Sequence, residues 1–154
     1  MSCAATFATD AAEREVRDQM TGQLRRQTVL LILIPLLATF VGQRLYLHLI
    51  NSNADFFIAG YNIHHLFTGA LIEIPAAMIL ALGVGGLWTR RIACVAFGVG
   101  SAMVLDEVVY LITTDGSNAA YLTSTSLWGA VVLVALAAAA LLAAYLVTAR
   151  HDRA

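Results

Sequence analysis

Residues 119–148 read AAYLTSTSLWGAVVLVALAAAALLAAYLVT, thirty consecutive positions without one Asp, Glu, Lys, Arg or His. A helix rises 1.5 Å per residue, so about 20 apolar residues cover the hydrocarbon core of a bilayer. Three further stretches, 28–50, 63–88 and 92–114, are also long and apolar enough. No segment alternates polar and apolar residues over the ten or so positions of a membrane β-strand. A lipid-facing backbone must satisfy its own hydrogen bonds, and a helix does so within one segment. The expected fold is therefore all-α: a polytopic membrane protein built as a four-helix transmembrane bundle with short loops.

The composition of the remaining chain agrees. Of 154 residues, 60% are hydrophobic and 12% charged, with a mean hydropathy of +0.78. Soluble domains carry roughly 25% charged residues, and disordered chains combine low hydrophobicity with high net charge. A formal charge of −1 gives no reason to expect a nucleic-acid partner. Cys3 and Cys94 are too few for a disulfide framework. All nine basic residues are Arg, and together with the heavy use of Ala this points to a GC-rich prokaryotic genome.

Arginine placement sets the expected orientation, because cytoplasmic loops collect basic residues. Arg25 and Arg26 precede the first span, Arg90 and Arg91 sit between the second and third, and Arg150 and Arg153 follow the fourth. Loops 51–62 and 115–118 contain no basic residue. Both termini are thus expected in the cytoplasm, with the protein multi-pass in the plasma (inner) membrane. Segment 1–27 has no apolar core of a cleavable signal peptide. Its residues 10–27 read as a polar cytoplasmic helix, with Glu13–Arg17 and Arg14–Asp18 spaced i,i+4. Residues 149–154 form a short cytoplasmic tail. No internal repeat or linker marks a second domain, and Thr89-Arg90-Arg91 reads as the tight connection between the middle spans.

Counting depth from the arginines brings the few membrane-level polar residues together. Twenty residues from the basic side, the outer edge falls near His48, Thr68, Ile112 and Trp128. On this ruler Arg44, Glu73, Asp106 and Glu107 all lie roughly 6–9 Å beneath that edge. His64 and His65 lie about a turn above it, and Tyr110 belongs to the same zone, with His48 and Thr68 at its periphery. His65, Gly69 and Glu73 share one stripe of the second helix, while Asp106 and Tyr110 share one of the third. Adjacent Asp106 and Glu107 point about 100° apart. Arg44 lies within reach of Asp106 or Glu107. Pro75 kinks the second helix beside Glu73, and Asn62 is a favourable cap for the start of that helix. Gly69, Gly98, Ala102 and Gly129 suit close helix packing.

Three functional readings follow. Fully ionised, Glu73, Asp106 and Glu107 carry −3 against +1 from Arg44, an imbalance that a cation relieves. The first reading is accordingly a metal site with His64, His65, Glu73, Asp106 and Glu107 as ligands for zinc, iron or manganese. Glu73 or Glu107 then serves as general base toward a lipid or small molecule entering from the outer leaflet. The familiar metal-ligand spacings are missing, however, and no nucleophile motif accompanies the cluster. The second reading is a structural or accessory protein in which Arg44, Asp106 and Tyr110 form a network that orients the helices. The third is proton or ion handling. It requires an oligomer, because the cytoplasmic half of every span is apolar.

Overall fold

The computed structural model describes residues 3–49, 57–58, 61–62, 64–114, 117–121 and 123–151, and the side chains of 3–19, 57–58, 61–62, 118–119 and 150–151 lie outside the described set. The order is α1 (Cys3–Leu49), β1 (Phe57–Ile58), β2 (Tyr61–Asn62), α2 (His65–Leu82), α3 (Leu87–Thr113), α4 (Asn118–Tyr121) and α5 (Ser124–His151). Four segments are long and apolar enough to cross a membrane: Met20–Leu49, His65–Leu82, Leu87–Thr113 and Ser124–Ala149. They fit a multi-pass membrane protein. Because the side chains of 3–19 are outside the described residues, the polar character expected of helix 10–27 falls largely there.

The four helices do not close into a symmetric bundle. α1, α3 and α5 pack against one another, whereas α2 approaches α3 and no other long helix. Burial ranks them the same way: 44% of the most apolar window of α3 is buried, against 11% in each of the others. α3 is the hub because its inward residues are small. Ala93, Cys94, Gly98, Gly100, Ser101 and Ala102 are all buried, and small residues let helix backbones approach closely.

Two approaches show what this smallness permits. A Cβ on Gly98 would fall against the backbone carbonyl of Ile32 and within 3.2 Å of the Leu36 nitrogen, so α1 lies directly on the α3 backbone. On the opposite side Gly69 and Gly100 face each other, each with the other's carbonyl oxygen 2.7–2.8 Å from its missing Cβ. That contact seats α2. Above the α1 seam, Leu36, Ala102 and Val134 form the first core cluster, with Phe40 and Leu105 packed against it. A second cluster joins Leu47, Tyr110 and Tyr121 at the end of the bundle where α4 lies.

The joints differ from the sequence expectation in three places. α2 ends at Leu82 instead of 88, because Gly83 takes the left-handed conformation (φ 64°, ψ 22°) that closes a helix with little strain in glycine. α3 then begins at Leu87, so Trp88, Arg90 and Arg91 stand in its first turns and not in a loop. Asn62 does not cap α2. It pairs with Phe57 in the small antiparallel ladder, and His64 (ψ 146°) occupies the cap position without a side-chain cap bond. The last span starts at Ser124, after the separate turn α4, instead of running unbroken from 119.

The Gly98 seam makes a stability prediction. Gly98→Ala forces α1 off the α3 backbone and is expected to cost about 1–3 kcal/mol, the usual range for overpacking. Gly42→Ala is its control, since a Cβ there meets nothing within 4 Å. Thermal unfolding in detergent should show a lowered midpoint for the first variant and none for the second.

Candidate functional site

Arg44 is the one basic residue placed deep in a span, on the α1 stripe that also carries Leu36 and Leu47 to the core. Its guanidinium spends its donors within the chain. Nε donates to Asp106 Oδ1 at 2.6 Å, one terminal nitrogen to the Tyr121 carbonyl at 3.2 Å, and the other to the Asp106 carbonyl at 3.3 Å and Ser126 Oγ at 3.4 Å. The Arg44 carbon Cζ lies 4.3 Å from the centroid of the Tyr121 ring. The Tyr121 hydroxyl donates to the second Asp106 oxygen, Oδ2. Both carboxylate oxygens of Asp106 are thereby used, and its side chain is wholly buried. This cluster ties α1, α3, α4 and α5 together.

Tyr110 joins the cluster through its ring. Its ring meets Tyr121 edge-on at 5.2 Å, and its hydroxyl donates to the Ser117 carbonyl at 3.2 Å. The phenol bonded directly to Asp106 is that of Tyr121. The apolar stretch 119–148 places residue 121 in a continuous fourth helix, at a level outside the bilayer, where nothing marks it as a partner of Asp106. The break at α4 turns its side chain back into the bundle. Ser126 is fully buried and accepts from Arg44.

Glu107 does separate work. Its Oε2 accepts the backbone N–H of Leu66 at 2.7 Å, in the first turn of α2. The cap position offers no side chain of its own, so a carboxylate from α3 supplies the acceptor and the negative charge favoured at a helix N-terminus. The other oxygen, Oε1, lies 3.9 Å from His64 Nδ1. His64 is partly exposed and tilts against the Tyr110 ring at 6.0 Å. Asp106 and Glu107 are both buried despite pointing to different sides. One faces α1 and α5, the other α2.

Glu73 is not in this zone. Its Oε1 accepts from Ser101 Oγ at 2.8 Å, and its Cβ packs beside Gly100. On the depth ruler Glu73 stood level with Glu107, and it is found level with Ser101, six residues earlier on α3. At 1.5 Å per residue this is about 9 Å deeper. The displaced turn is the reason: moving the α2–α3 connection from 89–91 to 83–86 slides the antiparallel register of the two helices. The Glu73–Ser101 pair therefore sits near the middle of α3, which runs from Leu87 to Thr113.

The expected ligand set is thus divided. Among the described residues no three of His, Cys, Asp and Glu come together so as to hold a metal ion. His65 opens α2, half-buried, while His48 is exposed in the last turn of α1 and Thr68 is half-buried in the first turns of α2. Gln43, next to Arg44 and missed in the sequence, has both amide atoms buried without a hydrogen-bond partner among the described residues. In comparisons with known proteins, no family model, curated sequence or solved structure matches this chain.

Tyr121 lies in α4, outside the four spans, and yields a pH prediction. Burial pushes its hydroxyl up from the ordinary value of 10.0, and the adjacent Asp106 charge and hydrogen bond push the same way. The folded protein keeps the neutral phenol, while the unfolded chain ionises it above about 10. Its contribution to stability is complete below that pH and is lost as pH rises beyond it. Melting temperatures from pH 8 to 11 should fall at the alkaline end, and Tyr121→Phe should flatten that fall.

Proposed function

We propose that this is a multi-pass protein of the plasma (inner) membrane with cytoplasmic termini, and that its deep polar cluster has a structural, accessory role. The observation that carries the reading is the engagement of all three Arg44 nitrogens by Asp106, Tyr121 and Ser126. A guanidinium engaged at every nitrogen and a carboxylate engaged at both oxygens have little left to offer a substrate or a metal. Glu107, the other candidate base, is engaged at the start of α2. The orientation rests on charge: Arg25, Arg90 and Arg91 gather at one end with Thr148 of α5, opposite the Arg44 cluster, and basic residues favour the cytoplasmic side.

The test separates structure from chemistry. Arg44→Ala leaves Asp106 buried without its cation and is expected to cost about 3–5 kcal/mol, the usual penalty for breaking a buried pair. Arg44→Leu combined with Asp106→Leu should recover part of that loss in a detergent melting experiment. Metal content of the purified protein, measured by mass spectrometry, checks the competing assignment. Stoichiometric metal that disappears in His64→Ala and Glu107→Ala overturns the structural reading.

A second reading, proton handling within an oligomer, draws on Glu73. A carboxyl group at that depth is costly, and among the described residues its partner is a single hydroxyl, with no cation. On this reading Glu73→Gln abolishes proton flux in reconstituted liposomes while leaving the melting temperature near that of the parent. Unchanged flux removes it.

A further inference from the structure

The end of the molecule remote from Arg44 has a construction of its own. A cavity of about 550 Å³ opens there between α1, α2, α3 and α5, and Arg25, Arg90 and Arg91 line it with Thr28, Cys94 and Thr148. No Asp or Glu lines the cavity, and none of these three arginines has an ion-pair partner among the described residues. α3 begins at its rim behind Gly86, which provides no side-chain cap, so the first-turn N–H groups add to the positive potential. An adjoining groove of about 740 Å³ shares Gln27, Leu31 and Arg91 with the cavity. It runs along α1 and α3 between Leu30, Ile34, Trp88, Ile92 and Val95, an almost entirely apolar wall. Arg91 marks the junction, its guanidinium 5.6 Å from the centroid of the Trp88 ring.

We propose that this composite site binds an anionic phospholipid, with its phosphate among Arg25, Arg90 and Arg91 and one acyl chain along the α1–α3 groove. Three cations with no ion-pair partner among the described residues attract a negative ligand, and basic pockets between membrane helices suit acidic head groups. A groove this apolar adjoining the cations needs a ligand that is also a hydrocarbon, and both volumes fall within the range of ligand sites. A second copy of the chain fits poorly, since its own basic end brings like charge. The site is independent of the role assigned to the Arg44 cluster.

Trp88 in the groove wall provides the readout. The chain has two tryptophans, and the other, Trp128, is exposed at the opposite end, so Trp128→Phe protein reports on Trp88 alone. Its fluorescence is followed in detergent micelles as brominated phosphatidylglycerol or brominated phosphatidylcholine is added. Phosphatidylglycerol should quench at a mole fraction at least roughly tenfold lower. Arg25→Gln and Arg90→Gln should each weaken that preference about fivefold, the effect of one basic residue beside anionic lipid. Arg26→Gln removes an arginine of the same end that does not line the cavity and should leave the preference intact. Val95→Phe, which fills the groove without changing charge, should reduce it. Equal quenching by the two lipids, or equal losses in Arg26→Gln and Arg25→Gln, overturns the proposal. Displacement of phosphatidylglycerol by millimolar inorganic phosphate, in wild type and Val95→Phe alike, overturns it in favour of a soluble phosphate. Melting temperatures confirm that each variant is folded, and the Arg25 and Arg90 variants test the cations separately.

Discussion

A guanidinium carried into an apolar helix bundle sets the terms for everything packed around it. Arg44 cannot lose its charge, and a broken buried pair costs about 3–5 kcal/mol, a large part of a typical net stability of about 5–15 kcal/mol. Its neighbours are arranged to answer each of its three nitrogens. Asp106 supplies a carboxylate oxygen and its own carbonyl, Tyr121 a carbonyl, and Ser126 a hydroxyl. The remaining carboxylate oxygen of Asp106 is then taken by the Tyr121 hydroxyl. No partner is dispensable without exposing another, which makes the cluster a single unit joining three spans and the short turn α4.

The central place of α3 lets two adjacent acids both be buried. On a helix at the edge of a bundle, residues 100° apart rarely both face inward. α3 has α1 and α5 on one side and α2 on the other, so it has two inward faces. Asp106 serves the first and Glu107 the second. The same arrangement explains the glycines: Gly98 admits α1 and Gly100 admits α2, each at backbone distance. Glu107 completes the α2 seam by receiving the Leu66 N–H that no local cap receives.

The four apolar segments were legible from residue spacing, and counted depth placed Arg44 within reach of Asp106 or Glu107 without choosing between them. Both depend on local periodicity, and the helical rise is the same in every helix. The turn between α2 and α3 was not read correctly. Gly83-Val84-Gly85-Gly86 carries the breaker signal, but the arginines at 90 and 91 drew the boundary toward themselves. A helix start in the first turn of basic residues satisfies the same charge bias as a loop does. This one displacement moved Glu73 away from the histidines and dissolved the convergent ligand set. Tyr121 was not legible for a related reason: it lies in α4, before the break that precedes α5, and depth counting assumes an unbroken helix.

The sequence by itself determined that the chain is helical, how many of its helices are long and apolar enough to cross a membrane, and which few polar residues lie within them. Hydrophobicity and helical rise are properties of each segment alone. Only the tertiary structure decided which of those polar residues meet. Contact between helices depends on the register at each turn and on which helix stands at the centre, and both follow from close packing at small residues. That packing put Asp106 with Arg44, gave Glu107 to the start of α2, and left Glu73 with Ser101.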